Sequence, residues 1–144
     1  MMSDVVLFRV PYEFVDDIWG KAEPFLKRAV DTSMGRYDMP SLYADVKSGR
    51  QQLWLYHDKD EEIVSAMTTQ FIYYPLRVNL SVAFLGSDDK SFSPDDWVAH
   101  MEQVMDWAKI HGCSAVEVVG RKGWARLFKK IGFVETFTTI EAEV

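Results

Sequence analysis

Residues 107–133 read WAKIHGCSAVEVVGRKGWARLFKKIGF, and the rhythm of this stretch decides the fold class. A helical pattern ends at Gly112, a residue suited to the left-handed turn that closes helices. Ala115 to Val119 is a short, mostly apolar run that suits a buried strand. From 122 to 131 the spacing turns helical again, with Trp124, Leu127, Phe128 and Ile131 inward and Gly132 as its stop. Phe133 to Glu143 then predicts a last strand. A strand between two helices must lie parallel to an earlier strand, because only a helical crossover brings the chain back to the same end of a sheet.

Working upstream, Ser93-Pro94-Asp95-Asp96 has the marks of a helix start. It offers a hydroxyl cap, proline where no amide is needed, and acids beside the positive end of the helix dipole. Trp97, Met101, Val104, Met105 and Ala108 form the inward stripe of that helix, and Gly86 to Phe92 is the polar loop before it. Three strands precede the loop: Gln52 to His57, Glu62 to Tyr73 after an Asp58-Lys59-Asp60 turn, and Arg77 to Leu85 after Pro75. In the last, Val78, Leu80, Val82 and Phe84 alternate with Asn79, Ser81 and Ala83. Val5 to Val10 predicts a first strand. Pro11 opens a helical pattern whose inward face is Phe14, Ile18, Ala22, Phe25, Leu26 and Ala29, with a kink or break expected at Gly20 and Pro24. Asp38 caps a further helix with Leu42 and Val46 inward, closed by Gly49.

The 144 residues predict a single domain, 48% hydrophobic and 14% aromatic, which excludes disorder. A net charge of −6 argues against nucleic acid as a partner. No apolar run is long enough to span a membrane, and one cysteine, Cys113, points to an intracellular, reducing setting. The three histidines fit no metal-binding spacing.

The element order, and the residues Trp107, Ala108, Gly112, Cys113, Ala125, Leu127, Phe128, Gly132 and Phe133, resemble the Gcn5-related N-acetyltransferase (GNAT) superfamily. Its members often read WA-x-x-x-G-C, then a strand, then L-Y-x-x-x-G-F. More narrowly, QLWLYHD and GRKGWARLFKKIGF look like small acetyltransferase-like proteins of tailed bacteriophages, some carried in the virion. The resemblance implies an α/β fold whose mixed, mostly antiparallel sheet is splayed in its middle and flanked by helices. It also implies acetyl-CoA in the splay, its pyrophosphate cradled by the amides of a glycine-rich loop. For a phage protein it implies a place in the host cytoplasm or the virion.

Two departures bear on activity. Where the family has Q/R-x-x-G-x-G/A, this chain has GSDDKSFSPDD, with one glycine, four aspartates and a proline that removes an amide. Carboxylates beside a pyrophosphate repel it by roughly a kcal/mol per close pair. Phe128 stands where many members have the tyrosine that protonates the departing thiolate, and phenylalanine has no proton to give. The expectation is therefore a non-catalytic domain acting through protein partners, with no cofactor. The alternative is a divergent acyl-CoA-dependent N-acetyltransferase.

Strand phases place Asn79, Ser81, Glu117 and Arg121 near the expected gap. Glu117 reads as a general base facing the cleft, or as a strand carboxylate near solvent. Asn79 and Ser81 suit hydrogen bonds to a ligand's amides, or contact with a polar loop. Arg121 follows Gly120 at the carboxyl end of a strand, where it would fork onto an anion or bridge to an aspartate of the 88–96 loop. Arg121, Lys122, Arg126, Lys129 and Lys130 gather positive charge, which fits an acidic partner strip or a solvated helix end.

Overall fold

The computed structural model describes residues 5–88, 90, 92–120 and 122–144. Strands β1 (Val6–Val10), β2 (Gln52–His57), β3 (Ile63–Tyr73), β4 (Val78–Ser87) and β5 (Ala115–Val118) form one sheet in chain order. The first three pairings are antiparallel, and β4 and β5 are parallel, joined through α3 (Pro94–Ile110). Helices α1 (Val15–Val30) and α2 (Met39–Lys47) lie between β1 and β2 in sequence, and α4 (Lys122–Phe128) follows β5. The α/β architecture with a mixed, mostly antiparallel sheet is as expected. No helix among the described residues is long and apolar enough to cross a membrane.

The sheet separates two cores. On one face Trp54, Tyr56, Met67, Leu80 and Val82 pack with Trp97, Met101, Val104 and Ala108 of α3 and Phe128 of α4. On the other, Leu53, Leu55, Ala66 and Phe84 pack with Trp19, Ala22 and Leu26 of α1 and Leu42 and Val46 of α2. Both faces of β2 are filled, so its residues 53–56 are all buried although they alternate in direction.

Helix starts follow the sequence closely. The Asp38 carboxylate accepts from Ser41 N at 2.9 Å while Ser41 Oγ accepts from Asp38 N at 3.0 Å. Ser41 Oγ also donates to the Asp38 carboxylate at 2.7 Å, and this bond, with that from Ser41 N, holds the Asp38 carboxyl below its usual range. The Asp58 carboxylate accepts from the amides of Asp60 and Glu62, which closes the β2–β3 turn.

Five expectations need correction. Helix α1 runs unbroken through Pro24, preceded by a 3-10 turn at Tyr12–Phe14. The residue four back, whose carbonyl a proline ring crowds, is the exposed Gly20, where no side chain adds to the crowding. Ala22 and Leu26 are buried and Ile18, Phe25 and Ala29 pack against the same core, while Val15, Trp19 and Val30 join the buried face and Phe14 is 54% exposed. Met105 of α3 is 39% exposed, beyond the edge of its inward stripe. Phe84 does not share a face with Val82. The register steps from Thr69↔Val82 to Thr68↔Phe84, leaving Ala83 as a bulge that turns Phe84 into the α1–α2 core against Tyr37. Finally, residues 133–144 form no strand. Val134, Phe137 and Ile140 are 77%, 93% and 91% exposed, and the sheet ends at β5.

Candidate functional site

The β4–β5 ladder pairs Asn79–Val82 with Ala115–Val118 and ends where Val119 N donates to Val82 O at 3.2 Å. Beyond that point β4 continues to Ser87 while β5 has stopped. The parting of the two strands coincides with the Ala83 bulge, and past Val82 β4 has no strand partner on its β5 side among the described residues. On the far side α1 closes tightly on this part of β4: a Cβ at Gly86 would overlap the Phe25 carbonyl. Arg28 also donates to Ser87 O at 3.0 Å.

Below the parting, the structure brings three of the four sequence-predicted residues together. Asn79, Ser81 and Glu117 share the face opposite Leu80, Val82, Val116 and Val118, with Ser81 and Glu117 directly paired in the ladder. Asn79 and Ser81 are buried, at 8% and 3% exposed. Glu117 Oε2 accepts from Asn79 Nδ2 at 2.8 Å and from Tyr74 Oη at 2.6 Å, and Asn79 Oδ1 accepts from Arg77 Nε at 3.0 Å. The chain Arg77–Asn79–Glu117–Tyr74 fixes the amide's orientation, because only one assignment satisfies both ends. The bond to Glu117 raises the Tyr74 phenol above its ordinary pKa, with burial and the carboxylate charge adding to it. Chemically this is a positioned carboxylate that already holds two donors, one of them an exposed phenol. Sequence reading missed Tyr74 and Arg77. The available signal was the Tyr73-Tyr74-Pro75-Leu76 turn, which is aromatic where turns are usually polar. Arg121, with its predicted bridge or anion fork, lies outside the described residues.

The β4–α3 loop has arranged its own amides. Asp88 N donates to Val64 O at 2.8 Å, Lys90 N to the Asp88 carboxylate at 2.8 Å, Phe92 N to Asp88 O at 3.1 Å, and Ser93 N to the Asp96 carboxylate at 2.8 Å. Pro94 has no amide. Every described amide from 88 to 93 is thus bonded within the protein; residues 89 and 91 lie outside the described set.

Phe92, 3% exposed, anchors this loop in an aromatic train. Its ring lies 4.7 Å from both Tyr56 and Trp97, centroid to centroid, and the contacts continue through Trp124 to Phe128. Phe128 is 1% exposed and stacked on Trp124, a core position facing no cleft, whereas Trp124 is half-buried. A cleft of about 570 Å³ lies between the start of α3 and α4, lined by Pro94, Gly123, Trp124, Arg126, Leu127 and Lys130. Lys130 Nζ stands 3.9 Å from the Asp95 carboxylate, an exposed pair of little energetic weight.

No protein-family model matches the sequence, and no curated protein matches it significantly. Solved structures do match. An aminoglycoside acetyltransferase from an uncultured soil metagenomic sample superposes with a TM-score of 0.72 at 14% identity over 99% of each chain. A predicted acetyltransferase from Clostridium acetobutylicum, solved with acetyl-CoA, gives 0.69 at 12% identity over 96% of each. A possible acetyltransferase from Clostridium difficile 630 gives 0.65 at 14% identity over 97% of each. The chain has the GNAT fold. At such low identity the likeness concerns architecture alone, and architecture does not decide function.

Proposed function

We propose that this GNAT-fold protein acts by binding protein partners and does not transfer acyl groups from CoA. The observation that carries this reading is the β4–α3 loop. A pyrophosphate cradle requires several free, convergent amides, and those described here are bonded to Val64 O, Asp88 and Asp96. The burial of Phe128 supports the same reading, since neither a hydroxyl nor access to a thiolate exists there. The wording shared with tailed-phage proteins supports a bacteriophage setting, with the virion as one place for it.

The test is a thermal-shift and calorimetric titration with acetyl-CoA. A ligand that binds only the folded state must raise its stability, by about 2.7 kcal/mol at a hundredfold excess over Kd. No shift at about millimolar acetyl-CoA is expected. A micromolar Kd would overturn the proposal.

One observation favours the second reading, a divergent acyl-CoA-dependent N-acetyltransferase. The Tyr74–Glu117 pair beside the splay is the kind of arrangement that could take a proton from an amine. In that case Glu117→Gln abolishes CoA release from acetyl-CoA in the presence of an amine while leaving acetyl-CoA affinity unchanged.

A further inference from the structure

A second cavity, of about 370 Å³, lies at the start of β2, where β1 ends and the chain turns into α1. Its size falls within the roughly 300–1,000 Å³ of small-ligand sites. It stands apart from the splay. Gln52 pairs with Thr69 and Thr69 with Val82, so the first residue of β2 is level with the point where β4 and β5 part. From that level the splay widens toward Ser87. The cavity extends the other way, toward the residues that precede β2, and β3 separates β2 from β4.

The lining divides by face. On the α3 side, Arg9 rests its guanidinium over the Trp107 ring, 5.4 Å from the centroid. Gln52 Oε1 accepts from Thr69 Oγ1 at 2.8 Å, which leaves the Gln52 NH2 as the unengaged end among the described residues. On the other side Val46 and Leu53, both 1% exposed, supply an aliphatic wall. Gln51 is 2% exposed; its Nε2 donates to the Asp45 carboxylate at 3.1 Å, but its buried Oε1 has no donor among the described residues. Glu13, in the 3-10 turn before α1, adds a carboxylate. Neither Arg9 nor Glu13 has an ion-pair partner among the described residues.

These groups call for a ligand that carries both charges. A guanidinium steadied on an indole face and a glutamine NH2 are donors without acceptors, a pattern that suits a carboxylate. Glu13 and the idle Gln51 oxygen are acceptors without donors, which the three N–H groups of an ammonium satisfy. A buried acceptor left unbonded is costly, so a donor reaching Gln51 is worth more than one at the surface. A plain anion would be repelled by Glu13, and a plain cation by Arg9.

We propose that this cavity binds a free α-amino acid with an aliphatic side chain. Its carboxylate meets Arg9 and Gln52, its ammonium meets Glu13 and Gln51, and its side chain lies against Val46 and Leu53. The site is separate from the splay, so the proposal stands whether or not acetyl-CoA binds there.

Calorimetry and thermal shift on the full chain, with L-leucine as the probe, test this. A Kd of about 1 mM or tighter is expected. N-acetyl-L-leucine, which lacks the ammonium, and L-leucinamide, which lacks the carboxylate, should each bind at least about tenfold more weakly. Arg9→Met keeps a side chain over Trp107 without the guanidinium and should weaken leucine about tenfold or more. Glu13→Gln, at an exposed position, should weaken leucine while leaving N-acetyl-L-leucine unchanged or better bound. No heat and no thermal shift up to about 50 mM leucine overturns the proposal. So does equal binding of leucine and N-acetyl-L-leucine, or leucine affinity that both variants retain. Acetylation of leucine with release of CoA would place it at the splay, and also overturns the proposal.

Discussion

Two irregular segments, one before α3 and one after the last helical turn, treat their backbone in opposite ways. The β4–α3 loop has bonded every described amide to itself or to β3, and has driven Phe92 into an aromatic core. Among the described residues, the carboxyl-terminal tail bonds one amide, that of Phe133, and it holds Phe137 in solvent. Both contain apolar side chains amid acids, so composition does not distinguish them. The fate of the backbone does. A loop whose described donors are engaged has little left for a ligand, whereas the tail spends almost none of its donors on the rest of the described chain and leaves Phe137 and Ile140 bare.

The largest effect should come from the aromatic train. Phe128→Ala should lower unfolding free energy by about 3–5 kcal/mol, and Phe92→Ala by a comparable amount, while Phe137→Ala stays within about 0.5 kcal/mol. Urea denaturation of the three variants checks this. Equal costs at 92 and 137 would erase the contrast between loop and tail. Next in size is the loop's own cap. Asp96→Ala removes the acceptor for Ser93 N and should cost about 0.5–2 kcal/mol, and it tests whether freeing an amide awakens affinity for acetyl-CoA. Binding by this variant but not by Asp96→Asn, which removes the charge and keeps an acceptor oxygen, would show that self-bonding, and not charge, closes the site.

A smaller effect concerns pH. Burial holds His100 below its ordinary pKa of 6.5, only partly offset by Asp96, so the folded state resists a proton that the unfolded chain accepts. Stability from this source is present above pH 6.5 and lost as pH falls through the region just below it. His100→Gln should flatten that part of the stability–pH curve, measured by thermal denaturation. An unchanged slope would show that other groups govern it. The smallest change is at Tyr56, whose buried hydroxyl has no hydrogen-bond partner among the described residues and whose pKa is raised strongly by desolvation. Tyr56→Phe should leave stability unchanged or raise it by up to about 1 kcal/mol, since it removes a desolvated group without a bond.

What was legible in the sequence was local. Asp38 and Asp58 announced their turns because each carboxylate accepts from an amide a few residues away, and Ser93 because the Asp96 carboxylate accepts from its amide. Strand periodicity placed Asn79, Ser81 and Glu117 on one face for the same reason. The failures were non-local. Whether Pro24 breaks α1 depends on the carbonyl four residues back and on what surrounds it. The exposure of Phe14 depends on which way the helix rolls against a sheet not yet formed. Tyr74 joins Glu117 across 43 residues of chain, which no spacing rule encodes. The tail has every local mark of a strand, but a strand needs a partner, and periodicity does not supply one.

The bulge at Ala83 makes β4 behave like a coded message with one inserted letter. Up to Val82 the chain is read in one frame, with apolar residues facing α3; from Phe84 onward it is read in the other. Deleting Ala83 removes only the inserted letter: Val82 and Phe84 become neighbours in a regular ladder, still opposite Thr69 and Thr68, and Phe84 keeps its contact with Tyr37. That deletion should be absorbed, whereas deleting a paired residue such as Leu80 would reverse side-chain direction along the strand.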